Sequence, residues 1–218
     1  LETNIVDSSN SREVSNLSNG IIAMKDSIRG KINDIEVINA SYERFVPKEF
    51  LTLLQKKSIT DVEIGDNFSL EMSVLFSDMR NFTMISEKLS PQQSFKFLNN
   101  YLDKMTPAIN DNQGFIDKYI GDAIMALFPN EPDDAVQAAI EMNKALKLLN
   151  KDKASDHVNM GIGIHMGTLV LGTIGKDTRM ETTVISDTVN SSARLESLNK
   201  VYGTSILISG GVRFSLSD

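Results

Sequence analysis

The chain of 218 residues has no cysteine, no internal repeat or low-complexity tract, and no apolar run near the roughly 18 residues of a membrane-spanning helix. Without cysteine there is no disulfide framework and no thiol chemistry, which suits a reducing compartment. Basic residues are in deficit, 22 against 29 acidic ones for a formal net charge of −7. That balance argues against general nucleic-acid binding. The N-terminus lacks a signal-peptide pattern, so the chain as it stands is expected to be soluble. Its length suits one domain with an appendage.

Two regions differ in kind. Residues 1–45 are polar, with apolar residues at Val14, Leu17, Ile21, Met24 and Ile28 in alternating steps of three and four. This is a coiled-coil seam, continued by Ile32 and Ile35 after a stutter that locally unwinds a supercoil. Because the stripe is narrow, a parallel dimeric helix is favoured over one packed on its own domain. Gly20 and Gly30 weaken that helix, and Pro47 marks its end or the start of a short helix over Lys48 to Lys56.

The second region, 46–218, alternates strands and helices. Strands are expected over Glu71–Asp78, Phe115–Ile120, Ala123–Phe128, Val158–His165, Leu169–Ile174, Met180–Ile185 and Ser205–Ile208. Helices are expected over Pro91–Asn110, Asp133–Leu149 and Asp187–Asn199, with Ser90 and Ser186 or Asp187 as caps. Gly167, Gly172 and Gly175 read as turn points. The order predicts an α+β fold, a ferredoxin-like βαββαβ core with extra strands behind the N-terminal coiled-coil helix.

Asp78 and Asp122 carry the first functional signal. Each ends an apolar strand-like run, in VLFSDMRNFT and DKYIGDAIMALF. A carboxylate there is costly unless a positive group meets it. If the first strand pairs beside the 115–128 hairpin, the two acids converge into a seat for hard divalent cations, which bind a few carboxylates plus substrate phosphates. Such sites serve phosphoryl displacement. Asp122 alone would read as an ordinary Gly-Asp turn residue, and His165 as a structural histidine.

With RFVPKEFL, GIGIHMGTLVLGTIG and TVISDTVNSSARLE added, the chain from about Phe45 to Val212 resembles a class III nucleotidyl cyclase catalytic domain. Residues 11–28 more faintly resemble the end of a HAMP signal-relay module. The resemblance implies conversion of ATP or GTP into a 3′,5′-cyclic nucleotide and pyrophosphate, with two Mg²⁺ or Mn²⁺ ions per active site. It implies Asp78, Met79 and Asp122 as the metal-holding residues. The turn from Met79 to Thr83, with Phe82 and Thr83, would face phosphates. Lys118 and Thr183 would read the base, Asn190 and Arg194 would act on the transition state, and Arg179 would reach phosphates.

An ammonium only donates, which suits adenine N1, whereas guanine N1 carries a hydrogen. Lys118 with Thr183 therefore favours ATP and an adenylyl cyclase. A guanylyl cyclase, or a degenerate cyclase that only binds nucleotide and dimerises, are the alternatives. A diguanylate cyclase would need a GGDEF-type turn where Tyr119-Ile120-Gly121-Asp122 stands. The resemblance implies a homodimer with shared sites, acting as the cytoplasmic output of a membrane-anchored receptor with an upstream sensor. Departures are Thr182 for an aromatic and Ser186 for a glycine. A triphosphate-binding lysine is expected on strands beyond Asp218, and no residue here matches it.

Overall fold

In the computed structural model, which describes residues 8–42, 45–151, 157–176 and 178–217, the N-terminal unit is a single helix, α1 (Ser8–Tyr42). Gly20 and Gly30 lie within it without breaking it. At ~1.5 Å per residue it is about 52 Å long. Every residue of the expected seam is exposed, from 47% at Ile28 to 66% at Leu17. Ile22, Val37 and Ile38 are exposed too, so the apolar surface is broader than the seam alone.

The second unit begins at Pro47. It runs α2 (Lys48–Leu53), β1 (Asn67–Met79), α3 (Phe82–Ser86), α4 (Pro91–Asn110), β2 (Phe115–Ile120), β3 (Ala123–Phe128), α5 (Pro132–Leu149), β4 (Met160–Lys176), β5 (Arg179–Ile185), α6 (Asp187–Tyr202), β6 (Ile206–Ile208) and α7 (Gly210–Ser215). The strands order as β2-β3-β1-β4-β5, with β6 parallel beside β4. The β2-β3-β1-β4 part is the expected ferredoxin-like arrangement.

Helix α4 starts where a capping box dictates: Ser90 accepts from the Gln93 amide, Gln93 returns the bond, and Pro91 fills the first turn. Helices α4 and α5 bury Tyr101, Met105, Ile109, Ala135, Ala138, Ala139 and Met142 against Leu75, Ile124, Phe128, Ile162 and Ile164 of the sheet. The small alanines bring α5 close to its neighbours. Strand β3 is buried at all six positions, as its unbroken apolar run requires.

The sequence reading needs several corrections, of which these change the fold most. Strand β1 starts at Asn67 rather than Glu71, and α2 stops at Leu53 rather than Lys56. The two strands expected over 158–165 and 169–174 are one, β4, seventeen residues long. It pairs with β1 without interruption from Met160 opposite Met79 to Gly172 opposite Asn67. Gly167 is not a turn; a Cβ there would press on Thr188 Oγ1 of α6 at 2.6 Å. Close approach of a helix, not a change of direction, is what a missing side chain permits at that position.

The same logic governs Gly163, where a Cβ would overlap the backbone of Ser192 and Glu196 in α6. Gly163→Ala is expected to push α6 off the sheet at a cost of about 1–3 kcal/mol. Thermal unfolding should read this as a fall of roughly 3–10 °C. Gly30→Ala in α1, which would meet nothing within 4 Å, should not lower the melting temperature. An unchanged melting temperature in Gly163→Ala would mean that α6 does not rest on that glycine.

Candidate functional site

Asp78 is the penultimate residue of β1, opposite Gly161 of β4. Asp122 sits in the turn between β2 and β3, just after Gly121, whose φ of 64° makes the tight reversal possible. Because β1 pairs with β3 up to Ser77 opposite Ile124, the turn delivers Asp122 beside Asp78, as expected. Burial and then the Asp78 charge push the Asp122 carboxyl up to about 6, against the pull of its own and the Met79 backbone amides. Beneath them Tyr101 is fully buried, its hydroxyl 3.1 Å from Met160 Sδ. Burial chiefly, then the charges of Asp122 and Asp78, drives its pKa upward.

A carboxyl raised by burial and by a neighbouring acid marks a place short of positive charge. Among the described residues no third His, Cys, Asp or Glu joins them. The pair fits Mg²⁺ or Mn²⁺, which keep much of their shell for water and substrate phosphate.

Next along the chain, Arg80 reaches back to Glu196 of α6 at 3.3 Å, both side chains largely buried at 13% and 7% exposure. Burial raises the Glu196 carboxyl, Arg80 opposes this, and Asp78 adds to it. The pair lies over Gly161, where any Cβ would overlap the guanidinium. Sequence reasoning missed this contact; Arg80 in DMRNF and Glu196 in ARLE are ordinary charged residues until the fold brings them together.

Helix α6 is bound to the sheet by a polar face. Thr188, Ser192, Glu196 and Asn199 are buried; Ser192 Oγ lies 2.8 Å from Val74 O and 2.9 Å from Gly163 O. Asn199 Nδ2 donates to Ile162 O at 2.9 Å. The opposite face holds Asn190 and Arg194, both exposed. With Ala193, Ser197, Leu198 and Val201 they line an open groove of about 670 Å³. The four-residue spacing does put Asn190 and Arg194 on one face, and it is the face turned away from the strand that carries Asp78.

Lys118 is on β2 and half-buried, its ammonium 3.5 Å from Asp117 Oδ2. Thr183 is on β5, opposite Gly172. The strand order puts these two on opposite edges of the sheet. Yet Asp117 feels the charge of Glu181 on β5, so the sheet curls until its edges approach. Two constellations result. Asp122 answers to Asp78, and Asp117 answers to Lys118 and Glu181.

The other expected residues divide. Phe82 stacks on Phe97, centroids 6.4 Å apart, and packs against the core. Thr83 is exposed. The Arg80 amide donates to Asn159 O at 2.7 Å, so any phosphate cradle can begin only at Asn81, whose φ is 62°. Arg179 is exposed at the β4–β5 hairpin end, opposite Lys176. Its strand position is fifteen residues along β4 from the partner of Asp78 (161 to 176). His165 is half-buried within β4.

Comparisons with known proteins give the family of this fold. A family model described as the adenylate and guanylate cyclase catalytic domain matches residues 68–217. An adenylate cyclase of Anabaena cylindrica is 40% identical over 213 residues, covering 94% of this chain and 42% of that protein. The chain thus spans less than half the length of that relative. Among solved structures, a bacterial light-regulated adenylyl cyclase superposes with a TM-score of 0.78 at 26% identity, covering 89% of this chain and 58% of that one. The guanylyl cyclase Cya2 superposes with a TM-score of 0.61 at 35% identity, over 69% and 80% of the two chains.

The strained aspartate pair has a stability signature. With its folded pKa above the unfolded value, Asp122 costs stability once it ionises, a loss that develops as pH rises from about 4 through about 6. In chelator, Asp122→Asn should therefore melt higher than the wild type at pH 7.5, with the gap narrowing at pH 5. An equal or lower melting temperature at pH 7.5 would show that burial and Asp78 do not burden the ionised Asp122 carboxylate.

Proposed function

Since the chain belongs to the adenylate and guanylate cyclase catalytic domain family, we propose that it converts ATP into 3′,5′-cyclic AMP and pyrophosphate, two copies of the chain completing each site. The ribose 3′-oxygen loses its proton and bonds to the α-phosphorus, and the bond from that phosphorus to the β-phosphate's bridging oxygen breaks. Cyclases of this family use divalent metals. Mg²⁺ or Mn²⁺ bound by Asp78, Asp122 and the Met79 backbone would acidify the 3′-hydroxyl and neutralise the triphosphate.

The observation that carries the reading is the divergence, on one chain, of the aspartate pair from Asn190 and Arg194. The aspartate pair lies at the end of β1, whereas Asn190 and Arg194 occupy the outward face of α6. A second copy laid against that face closes the gap, and a two-fold arrangement makes two equivalent sites. There Arg194 would meet charge developing on the α-phosphate, and Asn190 would orient the ribose. Lys118 would donate to adenine N1 and the Thr183 hydroxyl would accept from the adenine amino group. Likeness to both adenylyl and guanylyl cyclases leaves the base to these side chains, and Lys118 favours ATP.

In this reading the exposed seam of α1 pairs with its counterpart in the second copy, and a rotation passed down the two helices would align or misalign the sites. The upstream module would be a sensor of the same polypeptide, with the catalytic unit on the cytoplasmic side. No helix among the described residues is long and apolar enough to cross a membrane.

Product chromatography tests the activity. The purified chain, at high concentration with Mn²⁺ and equimolar ATP and GTP, should release mainly cyclic AMP, and Asp78→Ala should release none. Cyclic GMP as the main product would contradict the assignment of Lys118. Failure of a folded, dimeric protein that carries the strands expected beyond Asp218 to make any cyclic nucleotide would contradict catalysis.

A further inference from the structure

Lysine 118 needs a means of holding its aim. Its ammonium ends a flexible four-carbon stem, it is only half-buried, and the uncharged hydroxyl of Thr183 cannot fix it as a carboxylate would. The backbone supplies an answer one residue earlier. The pairing of β2 with β3 passes from Ile116 opposite Ala126 directly to Lys118 opposite Met125, so Asp117 is the extra residue of a β-bulge. In a regular strand residues 117 and 118 would point to opposite faces. A bulge breaks that alternation and re-aims side chains, and here it brings the carboxylate and the ammonium together.

The Asp117 side chain is only 4% exposed, and its Oδ2 has no hydrogen-bond partner among the described residues. Its ionic neighbour is Lys118 Nζ, at 3.5 Å. Burial raises the Asp117 carboxyl, Lys118 counteracts this, and Glu181 adds to it. Glu181 stands two residues before Thr183 on β5, hence on the same strand face. The Asp117 carboxyl thus senses a charge on the strand that carries Thr183. A buried carboxylate is expensive unless something cationic stays beside it, so the two residues constrain each other.

We propose that Asp117 is a positioning residue for base selection: its buried carboxylate, set beside Lys118 by the β-bulge, holds the Lys118 ammonium on the purine edge of the bound nucleotide. The inference rests on the proposed nucleotide-cyclising function and adds a residue to it. Asp117 touches no substrate atom itself; it acts through Lys118.

Binding without turnover provides the test. Affinities of 3′-deoxyATP and 3′-deoxyGTP, which lack the attacking hydroxyl, would be measured with Mg²⁺ by calorimetry. The proteins are the wild type, Asp117→Asn, Asp117→Glu, Lys118→Met and the Asp117→Asn/Lys118→Met double variant. The wild type should prefer the adenine nucleotide, and Asp117→Asn should lose roughly tenfold of that preference, the size expected for a charge-assisted contact. Asp117→Glu, which keeps the charge, should lie between them. In the Lys118→Met background Asp117→Asn should alter the preference by less than about twofold, because the pair acts as a unit.

A general structural role would instead weaken both nucleotides equally and add to the Lys118 effect. Either result, or a wild-type preference retained in Asp117→Asn, overturns the proposal while leaving the cyclase reading intact. A wild type that binds both nucleotides without preference overturns the base-reading role of Lys118 and this inference with it. Should Asp117→Asn fail to fold, Asp117→Glu decides alone: an undiminished preference overturns the proposal, and a reduced one, lost in the Lys118→Met background, supports it.

Discussion

Everything at this site depends on the antiparallel pairing of β1 with β4, unbroken from Asn67 to Met79. That ladder puts Asp78 opposite Gly161 and brings Gly163 under α6, so one register fixes both the aspartate pair and the helix that carries Asn190 and Arg194. Side-chain period in a sheet is two. A slip of one residue would turn Asp78 into the opposite face and replace the glycines under α6 with side chains that do not fit. The register is held by burial: Met72, Val74 and Leu75 are nearly inaccessible, as are Ile164 opposite Leu75 and Ile162 opposite Ser77.

On that frame the chain accumulates charge it does not neutralise. Asp122 is held protonated well above the usual carboxylate range by burial and by Asp78. Arg80, the nearest cation in sequence, is taken by Glu196. Arg194 points outward from the far face of α6 and Lys118 is held by Asp117. Strain of this kind collects at functional sites because function needs the unbalanced arrangement. The shortage of positive charge at the aspartates and its availability on the outward face of α6 are complementary. We read that complementarity as the reason two copies are needed.

Much of this was legible in the sequence, and the reasons are physical. The hairpin of β2 and β3 fell where expected because a Gly-Asp pair separates two apolar runs, and few backbones other than a tight turn satisfy that pattern. Helix α4 announced itself through Ser90 and Pro91. Strand β4 did not, because glycine has two uses that look alike in sequence: at Gly175 it permits a φ of 128°, and at Gly167 it leaves room for Thr188. The convergence of Asp78 and Asp122 followed from element order. Arg80 with Glu196 did not, since 116 residues separate them and neither has a distinguishing neighbour (80 to 196). Nor did Asp117: a bulge is a property of register, and only the paired strand reveals it.

The central claim is that each site draws its aspartates from one copy and its Arg194 from the other. Mixing Asp78→Ala with Arg194→Ala tests it most directly, each protein first shown to be folded and able to associate. Alone, both should be inactive; mixed, they should regain about a quarter of wild-type cyclic AMP formation, since random pairing makes half the dimers mixed and each of these keeps one intact site of two. No recovery from a mixture shown to exchange subunits would contradict the shared site.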